Sequence, residues 1–488
     1  MSSFSILNRR WPSRDLGQTA LFSAVFLGSI AALCALLIVG EIRLALAVVV
    51  GVTLVILATV SIRLSIVATL VYLILMGDIR RLLIPVAGWS GTDPLLLIGP
   101  TFVVILTAYV FATKRAQFST QLAPWILALM VIMTLQIMNP RQGGLMVGIA
   151  GAMFYIIPLL WYWIGQVYAT PKFVETILFR VVVPLAFVAI SVGLYQVFFG
   201  YMPHQQMWFD CCAYTALGVD GIQAPISIFA SAIEYSVFTI VAAVILWALF
   251  LKRRNPVFLL AIVPLVIAVF LVGSRGPIAQ LLAVSAALWA ARSTDTRSWV
   301  LRGGVAVIIG GVMLTLALMQ VEKAAESVGH ERIQHRMERQ ATGFLHMGDP
   351  SKSTATTHKR MMILGIFRGI QNPIGDGLGS TTKAAHKFGR PEGISGSMEV
   401  DISNIFLSTG TFGGLIYVYI VFTIIRQSII YWHSKRTLVG LCLAGLLGVT
   451  FLSWLAGGRY ALAPLIWFAV GSLDRFHTDH LDAQTTDE

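Results

Sequence analysis

The chain has 488 residues, of which 57% are hydrophobic and 12% are charged, and its mean hydropathy is +0.80. A soluble domain has roughly a quarter charged residues, so this composition excludes a soluble globular protein and indicates an all-α, polytopic transmembrane helical bundle. The net charge of +12 does not lead us to expect a nucleic-acid partner, because many cations flank apolar segments, where they indicate topology and contact with anionic membrane lipids.

Apolar segments long enough to be membrane spans follow one another along the chain, and we count fourteen, with twelve as the lower bound. The first follows Arg9, Arg10 and Arg14 without a small-residue cleavage site, which predicts an uncleaved anchor. The segments near Leu64 and Tyr460 are short. The predicted spans begin near residues 18, 44, 64, 95, 122, 145, 179, 225, 256, 276, 303, 403, 437 and 460.

The distribution of lysine and arginine predicts the orientation of these spans. With the N-terminus in the cytoplasm, eighteen cations lie in cytoplasmic loops and flanks and six lie in short outside loops, as the positive-inside rule requires. The predicted organisation is a cytoplasmic N-terminus (1–17), eleven spans (18–320), a periplasmic loop segment (321–402), three spans (403–473) and a cytoplasmic tail (474–488).

Two charged residues at or within the predicted spans are candidates for function. Glu234 lies about a third of the way into its span, and a carboxylate there is either functional or a hydrogen-bonded packing residue. Arg275 lies in the sequence Gly273-Ser-Arg-Gly-Pro277, which predicts a tight turn between two spans on the outside face. The alternative for Arg275 is a side chain that only extends to the membrane interface.

The segment Val321–Ile402 is polar and contains five of the nine histidines, eleven Lys/Arg and nine Asp/Glu. Its first part, Val321–Gln340, predicts a helix that is polar almost all round and solvated. We expect no metal site from His330 and His335, because their i, i+5 spacing places them on different helix faces.

A second helix, Thr356–Gln371, is predicted to lie against the membrane because apolar residues cover much of its circumference. Asn372-Pro373 ends it, since the residue before a proline disfavours helical dihedrals. Arg360 and Arg368 lie about 80° apart around this helix, so both can face one site.

Glycines alternate in the loop that follows, at Gly375, Gly377 and Gly379, with Asp376 between the first two. Such a loop is able to offer backbone N–H groups to an anion. The alternative is a flexible turn between two structural elements.

Four local patterns, in this order and on one predicted membrane face, resemble the family of O-antigen ligases and Wzy-type polysaccharide polymerases. The resemblance covers roughly Ile226–Ile425. The patterns are ISIFASAIEYSV at Ile226–Val237; the turn Gly273–Pro277; Arg360 with the later run NPIGDGLG at Asn372–Gly379; and DISNIFL at Asp401–Leu407, followed by Gly410, Gly413 and Gly414.

This resemblance implies a glycosyltransferase of the bacterial inner membrane that joins an undecaprenyl-pyrophosphate-linked glycan to a glycan acceptor at the periplasmic face, without a cofactor or metal. It also implies a chain-length regulator and a flippase as partners. A pyrophosphate leaving group needs positioned cations and backbone donors, and arginine grips phosphate oxygens with a planar fork. We therefore predict Arg275, Arg360 and Asp401 as catalytic residues.

Asp401 is the favoured base for the acceptor hydroxyl, with Glu399, Asp376 and His358 as alternatives. The predicted substrate-binding residues are Glu234, Arg368, Gly375, Asp376, Gly377, Gly379, Ser403, Asn404 and Arg459. The chain departs from the family pattern at Ser403-Asn404, where ligases often carry His-Asn, and at Gln223-Ala-Pro225, where relatives often carry an arginine.

The first departure favours a polymerase of exopolysaccharide or O-antigen repeat units over a ligase that transfers finished glycan to lipid A core. A transporter of polysaccharide or lipid-linked glycan is the third alternative. It would need alternating access, usually with interrupted helices in two repeats, and the sequence shows neither a repeat nor paired broken spans.

Overall fold

The structure is a computed structural model that describes most of the chain from residue 39 onward. The described residues are 36, 39–212, 218–219, 222–293, 295–325, 327, 331–346, 349, 355–382, 385, 388, 400–455 and 459–486. The predicted N-terminus, nearly all of the first predicted span, His330, His386 and Glu399 lie outside them.

The fold is all-helical, with 81% of it in helices. Within the described residues the only β pairing joins two-residue strands, β1 (Gly218–Val219) and β2 (Ile222–Gln223), antiparallel to each other. The helices are α1 Ile42–Val60, α2 Ile62–Leu82, α3 Ile84–Ala87, α4 Leu95–Ala112, α5 Ala123–Gln136, α6 Leu145–Tyr168, α7 Pro171–Ile177, α8 Val183–Phe198, α9 Pro203–Cys212, α10 Ala232–Arg253, α11 Val257–Val272, α12 Arg275–Ala290, α13 Thr296–Ala325, α14 Glu331–Leu345, α15 Ala355–Gln371, α16 Asp401–Lys435, α17 Leu438–Thr450 and α18 Leu462–Thr486.

Eight segments among the described residues are long and apolar enough to cross a membrane, and α5, α11 and α17 are shorter apolar helices. One of the eight, Pro171–Phe198, combines α7 and α8 through a π-helical turn at Leu178–Val182. These helices support a polytopic membrane protein. The prediction that the span near Leu64 is short is wrong, because α2 extends over 21 residues.

Helix α10 is central in the bundle and α13 is peripheral. Of the most apolar 18-residue stretch of each helix, 83% of the residues are buried in α10 and 6% are buried in α13. Glycine allows close contacts between α6 and α18: a Cβ on Gly165 would come within 2.1 Å of the Phe468 carbonyl oxygen, and one on Gly471 within 2.0 Å of the Tyr162 carbonyl oxygen.

The α10 helix begins later than the sequence predicts, at Ala232 rather than near residue 225. The preceding segment is non-helical and contacts α2, where Arg81 donates hydrogen bonds to the carbonyl oxygens of Phe229 (2.8 Å) and Ser227 (3.3 Å). Ser231 then caps α10 by accepting the Glu234 N–H at 3.2 Å. These contacts set where Glu234 enters the bundle.

Helix α14 covers one end of the bundle, and its prediction as a solvated helix is wrong. Arg336 and Gln340 are buried, and their side chains donate to backbone carbonyls at the end of α11: Arg336 to Leu271 at 3.2 Å and Gln340 to Phe270 at 3.0 Å. Helix ends leave such carbonyls unpaired, so buried polar side chains replace water there. We call the end of the bundle that α14 covers the loop end.

The boundaries of the loop segment also differ from the prediction. Helix α13 continues to Ala325 and α14 begins at Glu331, so the predicted single helix Val321–Gln340 is two helices. The predicted end of the next helix is confirmed, because α15 stops at Gln371, directly before Asn372-Pro373.

Helix α16 has a kink at Gly410, whose backbone angles are φ 72° and ψ −169°. The bend coincides with the approach of the loop after α15: a Cβ on Gly410 would lie 1.9 Å from the Pro373 carbonyl oxygen. Glycine is needed at this position for both its dihedrals and its lack of a side chain. The kink separates the first turns of α16, which start with Asp401, from its long apolar part.

Candidate functional site

Two buried carboxylates bind the chain between α17 and α18. The Glu234 Oε1 atom accepts the Ala461 N–H at 2.8 Å, and the Asp401 Oδ2 atom accepts the Leu455 N–H. Both residues are almost completely buried. Backbone donors therefore bind the two carboxylates on either side of Arg459 in sequence.

Arg459 is the cation that acts electrostatically on both carboxylates. Its Nη1 donates to the Ser453 Oγ atom at 2.7 Å. Burial lowers the pKa of the Arg459 guanidinium, and the negative charges of Asp401 and Glu234 oppose that shift. We call Glu234, Asp401 and Arg459 the central charged cluster.

Asp401 is bonded through one carboxylate oxygen only. Its Oδ2 accepts from Leu455 and from the Tyr417 hydroxyl at 3.4 Å, whereas Oδ1 is buried without a hydrogen-bond partner among the described residues. A buried, unpaired carboxylate oxygen is costly, so a structure that retains one points to a functional group. The position at the start of α16 reduces the cost, because the helix dipole favours negative charge there.

An apolar crevice adjoins the central charged cluster. Its walls come from α2, α4, α6 and the start of α18, and among the described residues Arg459 is the one charged residue that lines it. The remaining lining residues are Leu73, Gly99, Pro100, Met153, Phe154, Ile157, Pro158, Trp161, Tyr460, Ala463 and Pro464. The crevice is narrow, with a cavity volume of about 30 Å³, and its apolar walls beside a cation match an apolar chain with a negatively charged head group in chemistry rather than in size.

The structure brings together three of the residues predicted from the sequence, Glu234, Asp401 and Arg459. The predicted turn at Arg275 is confirmed, since α11 ends at Val272, Gly273 is left-handed (φ 87°) and α12 begins at Arg275. The Arg275 guanidinium lies against α14, because a Cβ on Gly343 would come within 2.0 Å of its Nη1.

Arg360, Arg368 and His358 lie on the exposed side of α15. The buried side of this helix includes Gly369, which contacts the Phe406 backbone of α16 so closely that a Cβ would lie 2.4 Å from its carbonyl oxygen. Neither arginine has a hydrogen bond or ion pair with another described residue. The roles of Arg360 and Arg368 in catalysis and substrate binding therefore stay predictions, in which the ligand approaches the exposed side of α15.

The prediction that the glycine loop offers its N–H groups to an anion is wrong. Protein acceptors use these donors: the Gly375 N–H binds the Asn372 carbonyl (3.0 Å), that of Asp376 the Leu407 carbonyl (2.8 Å), that of Gly377 the Ser408 carbonyl (3.2 Å), that of Leu378 the Gln136 carbonyl (3.3 Å) and that of Gly379 the Gln142 Oε1 (3.0 Å).

The loop instead packs between α5, α6 and the kink of α16. Glycine is required because the neighbouring backbones come very close: a Cβ on Gly379 would lie 2.1 Å from the Val147 carbonyl oxygen, and one on Gly375 would lie 2.6 Å from the Gly410 nitrogen. The close approach that the glycines allow is between two parts of the protein, not between the protein and a phosphate.

Two further predicted substrate-binding residues make structural contacts. Ser403 is fully buried and its hydroxyl donates to the Met362 carbonyl oxygen at 3.0 Å, which joins α16 to α15. Asp376 accepts from Asn372 Nδ2 at 2.7 Å. Asn404 is buried next to Ser403. The contacts shown for Ser403 and Asp376 explain these polar residues without a ligand.

Sequence reasoning missed Ser453, Tyr155 and Tyr417. Tyr417 lies on α16 beyond the kink, and its hydroxyl reaches Asp401 on the same helix. The Tyr155 hydroxyl is 2.7 Å from the Thr381 Oγ1 in the chain that follows the glycine loop. No local pattern in the sequence marks either tyrosine, because their significance depends on which helices become neighbours.

Comparison with models of known protein families finds no match, and comparison with curated proteins finds no similar sequence either. Among the described residues, no three His, Cys, Asp or Glu side chains come together as possible ligands of a metal ion.

Proposed function

We propose that this protein is a membrane glycosyltransferase that polymerises undecaprenyl-pyrophosphate-linked polysaccharide repeat units. In this proposal the chain has about fourteen spans in the bacterial inner membrane, both termini are cytoplasmic, and the loop end faces the periplasm. The observation that supports it best is the apolar crevice, in which Arg459 is the one charged residue among the described residues that line it. Arg459 acts electrostatically on Asp401, whose Oδ1 has no hydrogen-bond partner among the described residues.

A lipid-linked donor has the two features that this region of the protein matches. Its polyprenyl chain is apolar, like the crevice, and its pyrophosphate is an anion that requires a cation in an environment without water. Arg459 supplies that cation with a planar group that remains charged, and its Ser453 contact fixes the orientation of the guanidinium.

The reaction joins the acceptor hydroxyl oxygen to the anomeric carbon of the donor. As that bond forms, the bond from the anomeric carbon to the pyrophosphate oxygen breaks and the electron pair leaves with the lipid pyrophosphate. The hydroxyl proton passes to Asp401, whose Oδ1 is free to accept it. Direct attack of this kind inverts the configuration at the anomeric carbon.

The arginines nearer the surface have a separate role in this proposal. Arg360 and Arg368 are exposed on α15 at the loop end, where they attract the anionic donor and neutralise charge on the leaving group. Arg275, at the turn between α11 and α12, belongs to the same group of outer cations. Replacing Arg275 or Arg360 by alanine should shorten the polymer without removing the protein from the membrane.

The test is a deletion of the gene in the parent bacterium, followed by separation of its glycans by size. Loss of long chains with continued export of single repeats supports a polymerase. Long lipid-linked chains that never reach their anchor indicate a ligase, and precursor that accumulates at the cytoplasmic face indicates a transporter. An unchanged glycan profile would contradict all three functions.

A further inference from the structure

A cationic pocket lies at the end of the bundle opposite to the central charged cluster. Helices α10, α12 and α16 end there and α17 begins, as shown by the hydrogen bond from Lys252 to the Arg436 carbonyl (2.9 Å) and those from Arg436 to α12. Four cations line the pocket, Lys252, Arg254, Arg292 and Arg436, together with apolar surface from Trp432, Leu251 and Leu441.

Only part of this positive charge is used by the protein. Arg436 donates to the carbonyl oxygens of Ala291 and Arg292 at 3.1 Å and of Ser293 at 3.0 Å, so it closes the end of α12. Its guanidinium also lies 5.5 Å from the Trp432 ring centre. Among the described residues, the side chains of Arg254 and Arg292 have no hydrogen-bond acceptor, and no carboxylate forms an ion pair with any of the four cations.

The electrostatics show that the charges repel one another. Burial lowers the pKa of Arg292, and the like charges of Arg254 and Arg302 lower it further. Arg292 and Arg436 are half-buried, and Lys252 and Arg254 are exposed, so the pocket collects positive charge at the helix ends. An anionic ligand would reduce the repulsion between these charges.

From this geometry we infer that the pocket binds a phosphate group, with Arg254 and Arg292 as its principal ligands. The cavity volume is about 290 Å³, which is sufficient for a glycerophosphate head group. The site is independent of the proposed glycosyltransferase reaction, since it lies at the other end of the bundle.

Two sources of phosphate fit this chemistry, a phospholipid head group and a free phosphate compound. The position at the ends of membrane helices and the apolar lining favour the lipid, because Trp432 and the leucines would contact the upper part of an acyl chain. Phosphatidylglycerol is therefore the first ligand to test, and inorganic phosphate is the second.

The experiment compares three forms of the full chain in detergent: the unchanged protein, the pocket variant Arg254→Gln/Arg292→Gln and the control Arg253→Gln/Lys435→Gln. The control removes the same charge from exposed residues at the same helix ends that do not line the pocket. Each form is titrated with phosphatidylglycerol, phosphatidylcholine or inorganic phosphate, and the readouts are melting temperature and bound lipid by native mass spectrometry.

Phosphatidylglycerol should raise the melting temperature of the unchanged protein and the control, and the pocket variant should bind it roughly ten-fold more weakly or worse. Protection by inorganic phosphate with the same dependence on the two arginines would also support the site and would identify a soluble ligand. Equal responses of the pocket variant and the control to every ligand would overturn the inference. If the pocket variant does not fold, the single variant Arg254→Gln, at an exposed residue, decides the same comparison.

Discussion

At Asp401, the two carboxylate oxygens have different surroundings, and this difference separates a structural role from a chemical one. Oδ2 binds the Leu455 N–H and the Tyr417 hydroxyl, and Oδ1 is left without a partner among the described residues. An amide in place of the carboxylate keeps an oxygen for Leu455 but removes the group that accepts a proton.

Asp401→Asn should therefore lower the rate of glycan transfer by roughly 100- to 10,000-fold, the usual contribution of a general base, and leave the protein folded. The measurement is the transfer rate in membranes with equal amounts of protein. Asp479→Asn is the matched control, because Asp479 forms an exposed ion pair with Arg475. An Asp401→Asn rate within a few-fold of the unchanged protein would exclude Asp401 as the base.

Arg459 balances two buried carboxylates, so its loss should destabilise the protein. We expect Arg459→Gln to lower the free energy of unfolding by about 1–3 kcal/mol, because the Ser453 hydroxyl loses its hydrogen-bond donor and the two carboxylates lose the positive charge that acts on them. Adding Asp401→Asn should restore part of that loss, because one unpaired charge is then removed. Thermal unfolding of the two single variants and the double variant measures this coupling, and strictly additive losses would contradict it.

Residue by residue, the sequence identified the three members of the central charged cluster but not their association. Glu234 was a candidate because a carboxylate within a span is costly, whereas Asp401 and Arg459 were candidates through the reaction that the family resemblance implies. Their common position depends on the backbone N–H groups of Leu455 and Ala461, which carry no signal in the sequence.

At the scale of elements, the glycine-rich segment after α15 shows why a motif alone did not identify its role. Alternating glycines predict close backbone approach, and that prediction is confirmed. The sequence did not show what approaches. In the structure it is the backbone of α6 and α16, so the glycines position the kink of α16.

Gly410→Ala and Gly379→Ala should each destabilise the protein by roughly 1–3 kcal/mol, because an added Cβ meets a backbone carbonyl. Gly311→Ala is the control, since it lies on α13 with open space around its Cα. It should be neutral or stabilise the protein by about 0.5–1 kcal/mol through helix propensity. Thermal unfolding checks all three. Equal effects at the three positions would contradict the claim that close backbone packing requires glycine at Gly379 and Gly410.

Helix boundaries that depend on local chemistry were predictable, such as the end of α15 before Pro373 and the turn at Gly273. The prediction of a solvated helix at Val321–Gln340 was wrong because hydropathy treats Arg336 and Gln340 as surface residues. Their polar groups pair with carbonyls at the end of α11, and that end is close only in the folded protein.

At the scale of the whole molecule, the positive-inside count predicts which face each helix end occupies. Three of the six cations that the count assigns to outside loops form ion pairs: Arg43 and Arg80 bind Asp93, and Arg81 binds Asp78. Pairing with a carboxylate makes an arginine in a predicted outside loop compatible with the predicted orientation.

This orientation predicts the labelling of single cysteines by a reagent that does not cross the membrane. Gln371→Cys, exposed at the end of α15, should react in intact cells whose outer membrane admits the reagent. Lys114→Cys, exposed after α4, should react only after the inner membrane is opened. The reverse pattern would place the loop end in the cytoplasm and exclude a periplasmic reaction.

The most direct measurement is the length of polymer made in a deletion strain that expresses either the unchanged protein or Asp401→Asn at equal level. The central charged cluster and its crevice predict that Asp401→Asn makes no long polymer and accumulates lipid-linked single repeats. Polymer of normal length from the variant would show that the chemistry does not depend on this cluster.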